Sequence, residues 1–156
     1  MKQPDERITK FIATLEKLDP GERARLKRNA GKRLDEARSL GLFYRILPYG
    51  VPRYQEEMYF LVATLYPLAE GCGEKIFGAS MRRARDSQNE KGLNRRMEVL
   101  LDTDERQLPF RLRQAVRYLY SKRVPVNWPC LLRDLLQWNA PKRYIQQAWA
   151  RAYFAK

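Results

Sequence analysis

No histidine occurs anywhere in the 156 residues, and only two cysteines, Cys72 and Cys130, far apart in the chain. The first absence removes the commonest general base, and with it Ser-His-Asp and Cys-His catalysis. Together the two shortages exclude a Cys/His zinc site, since no CxxC pair is present either. No apolar run approaches the roughly 20 residues of a membrane span. The opening MKQPDERITK mixes acids with bases and lacks the apolar segment of a secretory signal. A cytoplasmic location is therefore expected. Acids are the other scarcity, 18 against 31 lysines and arginines, for a formal charge of +13.

What is present is a core-forming composition under a strongly positive surface. At 44% hydrophobic the chain is able to bury a real core, so global disorder is not expected. A field of this sign attracts polyanions, nucleic acid foremost. An anionic membrane is the rival, but no long basic helix with an uninterrupted apolar face is evident. The charge is uneven. Residues 21–53 carry nine bases against three acids, 78–123 twelve against six, and 124–156 five against one, whereas 54–77 are net acidic. Of the 31 cations 21 are arginine, the residue suited to bidentate phosphate contact and to stacking.

Apolar residues recur at helical spacing along almost the whole chain. Ile8, Phe11, Ile12, Leu15 and Leu18 form a first stripe. Asp19-Pro20-Gly21-Glu22 reads as a capping box, with Asp19 as N-cap and Pro20 at the first helical position. A central helix carries Met58, Leu61, Val62 and Leu65 and should stop at Pro67. Further stripes are Leu93, Met97, Leu100 and Leu101; Leu108, Leu112, Ala115, Val116 and Leu119; Trp128, Leu131, Leu132, Leu135 and Leu136 behind an Asn127 cap; and Ile145, Ala148, Trp149 and Ala152. Phe43 to Leu47 is compatible with an extended segment, and the loops are placed at 42–53 and 70–76. The expected architecture is all-α and bundle-like, one domain over residues 1–156, with a weak seam near 87–92 separating two helical lobes.

The run RARLKRNAGKR, residues 23–33, holds six cations and no acid. If the helix from Pro20 continues to Gly31, Arg25, Arg28 and Lys32 share one narrow sector, with Leu26 and Ala30 turned away. The same construction aligns Arg113 with Arg117, opposite Leu112, Ala115 and Leu119, and sets Arg95 against Leu93, Met97 and Leu100. A solvated outer face gives this pattern too. Three such faces with few compensating acids favour a polyanion surface, on which Tyr44, Tyr54 and Tyr144 are available for stacking. Asp102, Asp104 and Glu105 are the one carboxylate grouping open to a metal-dependent nuclease, although acids around a helix end and the next helix start account for them far better. GCGEK (71–75) lacks the Walker spacing and reads as a turn. A stand-alone helix-turn-helix regulator finds little support, because no glycine-centred short turn precedes an evident recognition helix.

The ordered blocks LFYRILPYG (42–50), YFLVATLYP (59–67), FGASMRRAR (77–85), NRRMEVLLD (94–102), LPFRLRQAVRYL (108–119), NWPCLLRDLLQW (127–138) and WARAYF (149–154) resemble the CasB-type small subunit of the Cascade surveillance complex of type I-E CRISPR systems. The likeness spans nearly the whole chain, except 68–76. It implies an all-helical, non-catalytic, cofactor-free subunit of an antiviral complex. Such a subunit sits head to tail with a second copy beside the other Cascade subunits and the guide RNA. Its basic faces support the displaced strand of the target DNA in the R-loop. The resemblance implies that Lys27, Arg28, Arg53, Arg95, Arg96, Arg113, Lys142 and Arg143 contact nucleic acid; the helical sectors add Arg25 and Arg117.

Overall fold

Asp19 begins a helix as its spacing predicts: its Oδ1 accepts the Glu22 N–H at 2.8 Å and Glu22 Oε1 accepts the Asp19 N–H at 3.1 Å. The computed structural model describes residues 4–156. Among the described residues there are nine α-helices and no strand: α1 Pro4–Glu16, α2 Pro20–Lys27, α3 Leu40–Ile46, α4 Glu56–Leu65, α5 Phe77–Arg83, α6 Glu90–Leu101, α7 Leu108–Ser121, α8 Trp128–Leu135 and α9 Tyr144–Phe154. The all-α expectation holds. Asn127 caps α8 by accepting the Cys130 N–H at 3.1 Å. Pro67 ends the α geometry as expected, and the chain leaves α4 through a 3-10 turn, Tyr66–Leu68.

Two local expectations need correction. Residues 42–46 are helical, not loop or extended, because Leu42 and Phe43 are driven into the core together, which adjacent positions of a helix edge permit. The helix from Pro20 ends at Lys27 instead of reaching Gly31. Beyond it the backbone tightens into hydrogen-bonded turns, from Asn29 N to Leu26 O and from Ala30 N to Lys27 O. Gly31 then takes φ 89°, a left-handed conformation natural to glycine. Lys32 therefore leaves the sector shared by Arg25 and Arg28.

Buried stripes from α1, α4, α7 and α8 merge in one core, to which α5, α6 and α9 add their inner faces. Side chains from both sides of 87–92 share that core. Each tryptophan indole N–H is satisfied and joins distant segments: Trp128 to Ala69 O at 3.0 Å, Trp138 to Thr103 O at 3.1 Å, and Trp149 to Asp134 Oδ2 at 2.9 Å.

Asp134 is buried. Burial pushes its carboxyl above the usual range, opposed by the Trp149 hydrogen bond and by Arg133. The folded protein thus holds this proton more tightly than the unfolded chain. The favourable contribution is complete below the unfolded pKa and is lost as pH rises through the folded one. Asp134→Asn keeps an acceptor for Trp149 and has no charge to desolvate. The stability of wild type relative to this variant, read from urea unfolding, should fall as the pH rises from about 4, near the unfolded carboxyl pKa, towards neutrality. A constant difference across that range would contradict the assignment. Asp134→Leu should lose about 1–3 kcal/mol by stranding the Trp149 N–H.

Candidate nucleic-acid interface

Within residues 23–33 the structure divides the cations by role. Arg23 donates to Glu70 Oε1 at 2.8 Å and to the Glu16 carbonyl at 2.7 Å, tying α2 to its surroundings. Arg33 reaches Glu57 at 3.8 Å and the Glu105 carbonyl at 3.4 Å. Burial raises the Glu57 carboxyl, while the Leu34 N–H and Arg33 oppose that rise. Leu26 and Asn29 are buried. The Asn29 amide clamps the backbone of Arg38, donating to its carbonyl at 2.7 Å and accepting its N–H at 3.0 Å. The remaining cations, Arg25, Lys27, Arg28 and Lys32, pair with no carboxylate among the described residues.

This division extends over the molecule. The described ion pairs use Arg23, Arg33, Arg45, Arg85 and Lys122. None of the ten cations proposed from sequence is among them. Carboxylate partners within the fold hold the first set; the ten are without one among the described residues.

The turn after Arg28 rests on α7. A Cβ on Gly31 would lie 3.1 Å from Arg113 Cδ, so the stem of the half-buried Arg113 runs beneath this turn. Arg117, one helical turn further on, is exposed. On the other side of α7, Arg95 and Arg96 of α6 and Arg111 of α7 border a cavity of about 210 Å³ floored by Met81, Leu93, Leu100 and Ala115. The Arg96 guanidinium lies 5.5 Å from the Tyr118 ring centroid, an arrangement that favours a cation. Arg95 and Arg96 thus group with Arg111 at the α6–α7 cavity, while Arg113 and Arg117 lie on the other flank of α7, beside the turn that follows Lys27 and Arg28. Half-buried Arg25 lies on α2 just before them.

Arg53, Lys142 and Arg143 lie elsewhere. Arg53 is exposed and borders a second cavity, shared with Arg33, Glu57, Glu105 and Asn139. Its surroundings mix both signs of charge. Lys142 and Arg143 precede α9, with Arg143 in a left-handed conformation at φ 51° and its guanidinium donating to the Leu101 carbonyl at the end of α6. Arg143 has a structural task whatever else it touches. Among the candidate stacking tyrosines, Tyr54 is 81% exposed, whereas the Tyr44 hydroxyl is engaged by Glu56 Oε1 at 2.8 Å.

Arg111, at the cavity with Arg95 and Arg96, is a basic neighbour that sequence reasoning missed. The signal was available: 100° per residue sets it beside Ala115 and Tyr118, on the flank of the stripe turned to α6. Two of the three acids at 102–105 are engaged within the fold. Asp104 Oδ1 accepts the N–H groups of Arg106 and Gln107 at 3.0 and 3.1 Å, and Glu105 Oε2 accepts from Asn139 at 2.7 Å. No three Cys, Asp or Glu side chains among the described residues are grouped to hold a metal ion. No described helix is long and apolar enough to cross a membrane.

The family model of the CRISPR-associated protein Cse2 matches residues 22–154. The chain belongs to the Cse2 family. A Cse2 protein of Thermus thermophilus is 32% identical over 97% of this chain and 90% of its own length. The crystal structure of CasB from M. ruber superposes with a TM-score of 0.79 at 30% identity, over 95% of this chain and 92% of that one. The fold also recurs in a chain of a CRISPR RNA-guided surveillance complex, at 23% identity and a TM-score of 0.77, over 96% and 90% of the two chains. The Cse2 match takes in both cation clusters, from the α2 run to the start of α9.

Proposed function

We propose that this Cse2-family chain is a non-catalytic subunit of an RNA-guided CRISPR surveillance complex, in which its basic faces bind strand phosphates and hold the displaced DNA strand of the R-loop. The observation that carries the reading is a set of accessible cations without ion-pair partners. Arg25, Lys27, Arg28, Arg95, Arg96, Arg113 and Arg117 lack carboxylate partners among the described residues; Arg113 runs beneath the turn after α2, and Arg95 and Arg96 border the α6–α7 cavity. Contacts of this kind position a backbone without reading its sequence. Arg53, Lys142 and Arg143 extend the surface around the connection between α6 and α7, towards the guide RNA, neighbouring subunits and a second head-to-tail copy. The mechanism needs no cofactor. R-loop formation is nearly balanced, because the heteroduplex formed replaces a duplex of similar stability. A few phosphate contacts that exist only in the opened state therefore shift the balance towards it.

The isolated protein should bind single-stranded DNA and RNA without sequence preference. The logarithm of its affinity should fall linearly with the logarithm of salt concentration, with a slope of about −0.7 per phosphate contacted. Magnesium should leave the strands uncut. Salt-independent binding, strong preference for one sequence, or cleavage abolished by Asp102→Ala with Asp104→Ala would overturn the reading.

A further inference from the structure

The 210 Å³ cavity between α6 and α7 is chemically unlike the rest of the basic surface. Met81, Leu93, Leu100 and Ala115 are all buried side chains and give it an apolar floor. Its rim carries three guanidinium groups, from Arg95, Arg96 and Arg111, and no carboxylate lines it. Solvated cations alone call for no such floor beneath them. Tyr118 closes one side, with Arg96 against its ring at 5.5 Å. Beyond that wall lies a second hollow of about 200 Å³, lined by Gln88 and by Asn89, whose amide is engaged by the Ala84 carbonyl and the Tyr118 hydroxyl.

We propose that this cavity receives one unstacked base of a single strand, whose flanking phosphates rest on the arginine rim. The inference rests on the function proposed above and adds a base-dependent contact to the phosphate-only ones. Nucleobases are flat and largely apolar on their faces and bring their charge on phosphates immediately outside. An apolar hollow ringed by arginines matches that distribution on both counts. A base already free of its stack enters at lower cost than one held in a duplex, so the cavity selects opened strands. Stacking and burial are tolerant of base identity, so the gain is for a base and not for a sequence.

The test separates base from backbone. The full-length protein is titrated with a short oligodeoxynucleotide that is abasic throughout, and with the same oligonucleotide bearing a single central thymine. The thymine should tighten binding on the order of tenfold in the wild type. In Val99→Trp, which bulks an exposed residue lining the cavity, and in Ala115→Met, which fills the floor, the two oligonucleotides should bind alike. Val99 is 40% exposed, so its variant decides the matter even if Ala115→Met fails to fold. The matching ribose pair identifies the preferred strand by the larger gain. A thymine without effect in wild type, or an undiminished gain in Val99→Trp, would overturn the cavity assignment while salt-dependent binding of the abasic strand leaves the function standing. Failure of the abasic strand to bind at low salt would overturn both.

Discussion

Gly78→Ala should destabilise the protein by about 3 kcal/mol, at the upper end of ordinary overpacking costs, and lower the melting temperature by roughly 6–12 °C for a chain of this size. Gly78 lies in α5, where that helix crosses α9. A Cβ there would stand 2.3 Å from the Trp149 carbonyl oxygen and 2.9 Å from its carbonyl carbon and Cα. These are backbone atoms in the middle of a helix, so no side-chain rotation relieves the clash and the helices must separate. Trp149 would then lose its seat beside Phe77, whose ring centroid lies 4.9 Å away, and its hydrogen bond to Asp134. Gly92 provides the comparison. It is exposed in α6 and a Cβ there meets nothing within 4 Å, so Gly92→Ala should stabilise by about 0.5–1 kcal/mol through helix propensity. Thermal unfolding of the two variants beside wild type measures both effects, and equal behaviour would refute the close approach of α5 to α9.

Reversing Arg28, Arg96 and Arg117 to glutamate together should weaken single-strand binding on the order of a hundredfold or more, since three charge-assisted contacts are lost. The salt slope should become shallower by about 2, at roughly 0.7 per contact removed. All three side chains are exposed and make no ion pair among the described residues, so helicity and melting temperature should barely move. Reversing Arg23 and Arg33 instead should act mainly on stability, because those arginines hold Glu70, Glu57 and two backbone carbonyls. Equivalent binding losses from both sets, without a stability difference, would contradict the division between structural and strand-facing cations.

The helices were legible wherever an apolar stripe or a cap was strong. The Asp19 box, the Asn127 cap and the stripes of α6 and α7 all lie where periodicity puts them. Residues 42–46 were less legible, because seven residues hold too few turns for a 3.6-residue period to stand out from extended backbone. The end of α2 was hidden for another reason. Asn29 and Gly31 look ordinary in the sequence, yet the Asn29 clamp on Arg38 and the positive φ of Gly31 turn the chain away. Sequence marked the cations as a class but carried no means of sorting them. Which arginine meets Glu70 or Glu57 is decided by residues more than 20 positions away. The α6–α7 cavity was invisible for the same reason, being formed by stripes that each read as ordinary core.

The most direct test of the central claim is the R-loop lifetime of a reconstituted surveillance complex carrying wild-type subunit or the Lys27→Glu, Arg28→Glu double variant. Both side chains are exposed at the end of α2, so the variant should fold and enter the complex as wild type does. The account predicts a shortened lifetime, uniform across target sequences, which shortens further when Arg117→Glu is added. An unchanged lifetime with normal incorporation would show that these cations form only a solvated helix face.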